Sequence, residues 1–242
     1  MTNLKFKINN KTQIPTRFKA RVNSKISFGT KFLVFKLELD HKIEYMAGQY
    51  VSILVDEKTR RAYSISSAPD GKRIELLVDT NPNGPASNLF KNINIGQSID
   101  IIGPYGRFVV PEDVKGTLWF VATGSGLAPL KSQILDLLNK GYKDRIVLVY
   151  GTKFEEDVVF KDLFENLMSK YPNFQYYIAI SHFDALLTQN YKYVTYISKR
   201  LISNSLPNYA FLCGHPKMME DMKKFLIFHK VNLTNIFSES YV

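Results

Sequence analysis

A chain of 242 residues, 45% hydrophobic and 22% charged, has the balance of a folded globular protein and the length of one large domain or two modest ones. Its single cysteine, Cys213, excludes an intramolecular disulfide, a cysteine-rich zinc site and a cysteine-ligated iron–sulfur cluster. The 32 Lys and Arg against 22 Asp and Glu give a formal charge of +10, which suits an acidic partner, but no zinc-finger spacing, basic-region helix or aromatic–basic RNA signature accompanies it, so nucleic acid is not expected.

The first eight residues lack the apolar core and small-residue cleavage site of a signal peptide. No apolar run reaches the ~20 residues of a spanning helix. The cytoplasm is therefore the expected compartment, with no transmembrane segment. Residues 31–39 place Leu33, Phe35, Leu37 and Leu39 on one face at period two, the signature of a strand. Further strands are expected at 49–55, 62–66, 73–79 and 98–102, separated by turn formers such as Asp70-Gly71 and Asn81-Pro82-Asn83-Gly84-Pro85. Many short strands with a single helical turn at 87–92 predict an antiparallel β-barrel of Greek-key type.

After Gly116 the rhythm changes. Residues 117–123 form a nearly continuous apolar run, as in a strand buried on both faces. A helix is expected at 129–140, opened by Pro129 and followed by Gly141. Strands at 145–150, 175–180 and 209–213 then alternate with helices at 158–170, 194–202 and 217–230. That alternation predicts a doubly wound parallel sheet, so the chain divides into residues 1–113 and 114–242. Ligands of such sheets sit beyond the carboxyl ends of the strands, here where those ends face the barrel.

Four segments carry chemistry. In Arg61-Ala62-Tyr63-Ser64, alternation puts Arg61 and Tyr63 on one face and Ser64 on the other. A guanidinium fits two phosphate oxygens at once, although an ordinary surface arginine on a barrel strand reads the same way. Gly84-Pro85-Ala86-Ser87-Asn88 leads into the barrel's helical turn, whose free N–H groups would make an anion site; Ser87 is equally readable as a plain helix cap. Thr123-Gly124-Ser125-Gly126-Leu127-Ala128-Pro129 joins the buried strand to its helix, the context of a dinucleotide fingerprint, with Pro129 standing where the third glycine would be. The alternative is a tight turn with no ligand. Cys213-Gly214-His215-Pro216-Lys217-Met218 repeats the strand–turn–helix arrangement; Cys213 is readable as a soft neighbour for a planar ring or as an inert buried thiol. None of the four histidines has a companion at ligand spacing, so no metal site is expected.

Together and in this order, these segments resemble the ferredoxin–NADP reductase superfamily over nearly the whole chain. The resemblance implies an enzyme in which the barrel binds FAD and the sheet binds a nicotinamide dinucleotide, closest to the bacterial-type ferredoxin or flavodoxin reductases. It implies that Arg61 contacts the pyrophosphate, that Tyr63 lies against the flavin and that Ser64 lies near its N5. Gly84, Ser87 and Asn88 match a second pyrophosphate contact, and residues 103–108 match the turn that closes the barrel. Thr123, Gly124, Gly126 and Pro129 match the nicotinamide-nucleotide loop; residues 150–153 with Asp157 and Phe160 match the next strand end; Cys213, Gly214 and Met218 match the motif beside the nicotinamide. In the tail, Tyr241 fits the aromatic that covers the flavin and Glu239 the acid that assists proton or electron traffic, with Val242 as an added residue. Ser181 fits the 2′-phosphate pocket, but His182 stands where NADPH users carry Arg, leaving Lys153, Lys192 and Tyr193 as substitutes. NADPH is the expected nucleotide, with NADH the alternative. The resemblance implies hydride transfer from nicotinamide C4 to flavin N5, aided by Ser64, Cys213, Glu239 and Tyr241, then single-electron transfer to a separate acidic carrier, a ferredoxin or flavodoxin. A reductase of free flavin, an oxygenase or a cytochrome is the alternative on the same scaffold, and a non-catalytic nucleotide-binding regulator the alternative of another class.

Overall fold

The computed structural model describes residues 14–182, 193–202 and 206–240. Six antiparallel strands come first: β1 (Thr16–Phe28), β2 (Phe32–Leu39), β3 (Tyr50–Leu54), β4 (Arg60–Ser64), β5 (Arg73–Asp79) and β6 (Ser98–Tyr105). They form one sheet in the order β4-β3-β6-β1-β2-β5, with α1 (Pro85–Asn92) between β5 and β6 in sequence. The sheet curls until its two edge strands approach each other, but among the described residues they join only at the isolated Ile65–Leu76 bridge, so the sheet is barrel-like and not closed by a ladder. Leu33, Phe35, Leu37 and Leu39 fill its interior with Val51, Ile53 and Ile101.

The long central strand β1 is absent from the sequence-based expectation. Phe18, Ala20 and Val22 alternate inward, but the register with β2 shifts between Val22 and Ser24, and beyond that bulge the period is lost.

The second sheet has the order β11-β10-β7-β8-β9, all parallel, from β7 (Leu118–Thr123), β8 (Ile146–Thr152), β9 (Phe174–Ile180), β10 (Tyr209–Cys213) and β11 (Ile236–Glu239). Its helices are α2 (Leu127–Asn139), α3 (Lys161–Lys170), α4 (Val194–Ile202) and α5 (Pro216–Phe228). Leu118, Phe120 and Ala122 of β7 pack with α2 and α3, while Trp119 and Val121 pack with α4 and α5. That two-sided burial explains the uninterrupted apolar run. Helix α3 starts later than the expected 158 because Phe160 adopts a left-handed φ of 59° and caps it after a short turn at Glu155–Asp157.

Three phenylalanines, Phe120, Phe211 and Phe237, lie opposite one another on β7, β10 and β11, with ring centroids 4.9 and 5.0 Å apart and nearly parallel planes. Phe211 is the fully buried middle ring. Phe211→Ala is expected to cost about 3–5 kcal/mol, read from the urea midpoint.

The halves share one core. Phe32, Val34, Leu77 and Phe108 of the antiparallel half belong to the same apolar cluster as Leu127, Leu130 and Phe120 of the parallel half. Strand order reverses between β7 and β10, and the carboxyl ends of both face this seam.

Candidate active site at the seam

Two cavities of about 530 Å³ each lie on either side of the seam. The first is walled by residues 61–64, by residues 81–87 and by Leu77 and Asp79. Sequence alternation puts Arg61 and Ser64 on opposite faces, yet both line this cavity, because β4 is an edge strand and its open side meets the space. The guanidinium of Arg61 is exposed, bonded to the Arg60 carbonyl at 2.8 Å. Tyr63 packs edge-on against Phe90, with centroids 5.0 Å apart, and burial pushes its phenol up to about 12.

At the start of α1, Gly84 is the N-cap and no side chain caps the helix. With Gly84 at the N-cap, Ser87 is the third residue of the helix, which overturns its helix-cap reading; its hydroxyl donates to the Pro82 carbonyl at 3.1 Å. The backbone N–H groups of Ala86 and Ser87 belong to the first helical turn, where intrahelical acceptors are lacking, and both residues line the cavity. Gly84 has an extended backbone any residue adopts, and a Cβ there would meet nothing within 4 Å. Nothing in the protein itself demands glycine at 84; the open space before it does suit a close-fitting anion. Asn88 is exposed and lines a separate groove with Val55 and Leu89, so the structure does not bring it to this cavity.

The second cavity lies over the carboxyl ends of the parallel strands. Thr123, Gly124, Gly126, Ser181, Gly214 and Met218 line it, as do Gly151, Lys153 and Tyr193. Gly124 has a φ of 56°, and a Cβ at Gly126 would stand 2.5 Å from the Cys213 carbonyl carbon and 2.6 Å from the Gly214 nitrogen. The two turns therefore touch backbone to backbone, tied further by the His215 N–H donating to the Thr123 hydroxyl at 2.8 Å. Pro129 is buried inside α2 and lines neither cavity. Lys31, Phe32 and Asp79 of the antiparallel half also wall this cavity, with Lys31 Nζ 3.2 Å from an Asp79 oxygen. They were missed because a hairpin turn and the ends of barrel strands carry no motif that announces a distant cleft.

Ser125 and Asp79 line both cavities, so the two spaces meet there. Beside that junction, the Ser64 hydroxyl donates to a Glu239 oxygen at 3.5 Å, and Glu239 stands opposite Cys213 in the β10–β11 register. Burial pushes the Glu239 carboxyl up to about 7, against the opposing effect of the Ser64 hydrogen bond. Cys213 is fully buried and lines neither cavity. Thus Ser64, Cys213 and Glu239, far apart in sequence, come together. Tyr241 and Lys192 lie outside the described residues.

The oxidoreductase FAD-binding domain family matches residues 18–110, and the oxidoreductase NAD-binding domain family matches residues 120–224. The reductase component of phenol 2-monooxygenase from Pseudomonas sp. (strain CF600) is 32% identical over 211 residues, covering 85% of this chain and 60% of that protein. The electron transfer component of toluate 1,2-dioxygenase from Pseudomonas putida is 27% identical over 218 residues, covering 89% of this chain and 64% of that protein. This chain thus spans about three fifths of the length of these relatives. Among solved structures, the Amycolatopsis cytochrome P450 reductase has the same fold, with a TM-score of 0.84 at 24% identity over 95% of this chain and 71% of that one. No helix among the described residues is long and apolar enough to cross a membrane.

Proposed function

The chain belongs to the ferredoxin–NADP reductase superfamily as an oxidoreductase with FAD-binding and NAD-binding domains, and on that premise we propose that it moves a hydride between a nicotinamide dinucleotide and FAD and single electrons to a separate carrier. The division proposed is residues 1–113 for FAD and 114–242 for the dinucleotide. One observation carries the reading: two cavities at the seam share the Ser125 and Asp79 wall, and Ser64, on the wall of the first, pairs with Glu239.

The flavin, when bound, supplies the switch between two-electron and one-electron chemistry. The protein's own residues bind and orient. Arg61 and the N–H groups of Ala86 and Ser87 suit a pyrophosphate, and Gly84 leaves room for it. Tyr63 is placed to pack against a ring system in the same cavity. Thr123, Gly124 and Gly126 let the second nucleotide approach backbone closely, while Gly214 and Met218 wall the end nearest Cys213. Hydride transfer between rings needs their reacting atoms roughly 3–3.5 Å apart, so most of the acceleration is positioning. Glu239, with a carboxyl that titrates near neutrality, holds an exchangeable proton within reach of the Ser64 hydroxyl. For the nucleotide, Ser181, Lys153 and Tyr193 are assigned to the adenosine side, favouring NADPH over NADH.

The formal charge of +10 supports an acidic carrier, a ferredoxin or flavodoxin, met through long-range steering. An oxygenase component is the second reading, supported by the names of the two curated relatives. The cytoplasm is the proposed location, where a lone thiol such as Cys213 stays reduced.

The test is the absorption spectrum of the purified protein. Bound FAD should colour it and bleach on titration with NADPH or NADH, the better reductant naming the nucleotide. Arg61→Ala is expected to weaken FAD binding about 10- to 100-fold by removing a charge-assisted contact, measured by flavin fluorescence. A parental protein that stays colourless after soaking with FAD overturns the reading.

A further inference from the structure

Helix α2 carries three consecutive polar residues, Lys131, Ser132 and Gln133, whose exposures are 3%, 0% and 0%. Consecutive helical residues point in different directions, so no single face buries all three. Their burial reflects a helix clamped between its own sheet and the antiparallel half. Each donates across the seam. Lys131 Nζ reaches a Glu75 carboxylate oxygen at 2.7 Å and the Ser66 carbonyl at 3.1 Å; the Ser132 hydroxyl reaches the Ser67 carbonyl at 2.5 Å; the Gln133 amide reaches the Phe108 carbonyl at 2.6 Å. The same Glu75 oxygen accepts from the Ser66 hydroxyl at 2.7 Å, and Lys131 Nζ sits 4.4 Å from the Phe160 ring centroid.

The acceptors and donors lie close to the two proposed ligand sites. Ser66 and Ser67 follow Ser64 with only Ile65 between, and α2 follows the Gly124–Gly126 turn directly. A buried ion pair contributes little to stability compared with apolar residues of similar volume, so its benefit here is sought in geometry. Resting on the reductase reading, we propose that Lys131, Ser132 and Gln133 are positioning residues: four directional bonds across the seam fix the Ser64 wall of one cavity against the glycine turn of the other. They thereby set the approach of the two reacting rings. A misplacement of ~1 Å from residues away from the chemistry can slow such a step ~100-fold.

Two double variants test this in the full chain. Lys131→Met with Glu75→Leu removes the ion pair without leaving a lone buried charge, and Ser132→Ala with Gln133→Leu removes the neutral bonds. Both are expected to keep parental dissociation constants for FAD and for the oxidised nicotinamide nucleotide, and an unchanged KM. Single-turnover flavin reduction should fall ~10-fold or more, with loss of the long-wavelength charge-transfer absorbance of the stacked rings. Ser132→Ala alone, which removes one hydroxyl, remains the milder probe if a double variant does not fold, and it should slow the same step several-fold. Parental reduction rates in whichever variants fold overturn the positioning role. So does a fall in nucleotide affinity equal to the fall in rate, which would make the residues binding groups. A parental protein that takes up no FAD fails earlier, at the reductase reading, and takes the positioning role with it.

Discussion

Gly214→Ala is expected to destabilise the chain by about 3–5 kcal/mol and to abolish measurable nicotinamide-nucleotide binding, while FAD binding in the other half persists. Gly214 has a φ of 133°, a region essentially reserved for glycine. A Cβ there would collide with the Thr123 hydroxyl oxygen and stand 2.6 Å from the Thr123 carbonyl oxygen. The clash is with backbone at the end of a central strand, which cannot swing aside as a long side chain would. Relief would move the turn after β10 away from the turn after β7, and the cavity is built from both. Thermal unfolding and nucleotide difference spectra measure the two effects; a variant that melts and binds as the parent does would remove the close-approach argument.

Glu239→Gln is the second large effect, and it is a matter of pH. The Glu239 carboxyl, ordinarily at 4.5, is pushed up to about 7 by burial. A carboxyl raised in this way holds more protons in the folded chain than in the unfolded one between those values. Its contribution is therefore complete below about pH 4.5 and lost as pH rises through about 7. Allowing for its partial contact with water, the loss is on the order of 1–3 kcal/mol. Gln, always neutral, removes this dependence and should leave the flavin-free variant more stable than the parent at pH 8. Urea midpoints from pH 4.5 to 8 measure it. Parallel pH profiles for the two proteins would mean that the ionised carboxylate suffers no penalty in its site.

Much of this was legible in the sequence for physical reasons. The β7–Gly124–α2 and β10–Gly214–α5 turns were readable because glycine and proline mark backbone demands that few other residues meet. The parallel strands were readable because burial on both faces leaves unbroken apolar runs such as that of β7. Less local features were not. Strand β1 hides its inward Phe18, Ala20 and Val22 between cations and then breaks period at a bulge. Strand β11 has four residues and no periodicity of its own; it exists because β10 offers it an edge. In α2, Leu130, Ile134, Leu137 and Leu138 mark the face on the sheet, but Lys131 reads as an ordinary solvent cation. Only the second covering surface buries it, and no helical periodicity can announce a helix covered on two sides. Ser87 shows the converse: its place near a helix start suggests a cap, yet Gly84 holds the N-cap position and the Ser87 hydroxyl donates to the Pro82 carbonyl from inside the first turn.

The common apolar cluster of Phe32, Val34, Leu77 and Phe108 with the parallel half bears on how this molecule can be dissected. Producing the two halves apart, divided between β6 and β7, would strip the cover from Phe32, Val34, Leu77 and Phe108 on one fragment and from helix α2 on the other. Each fragment would then present an oily face together with orphaned polar groups, among them Lys131 without its carboxylate. Neither piece is thus a free-standing module, and damage to one ligand's half is felt as lost stability in the other.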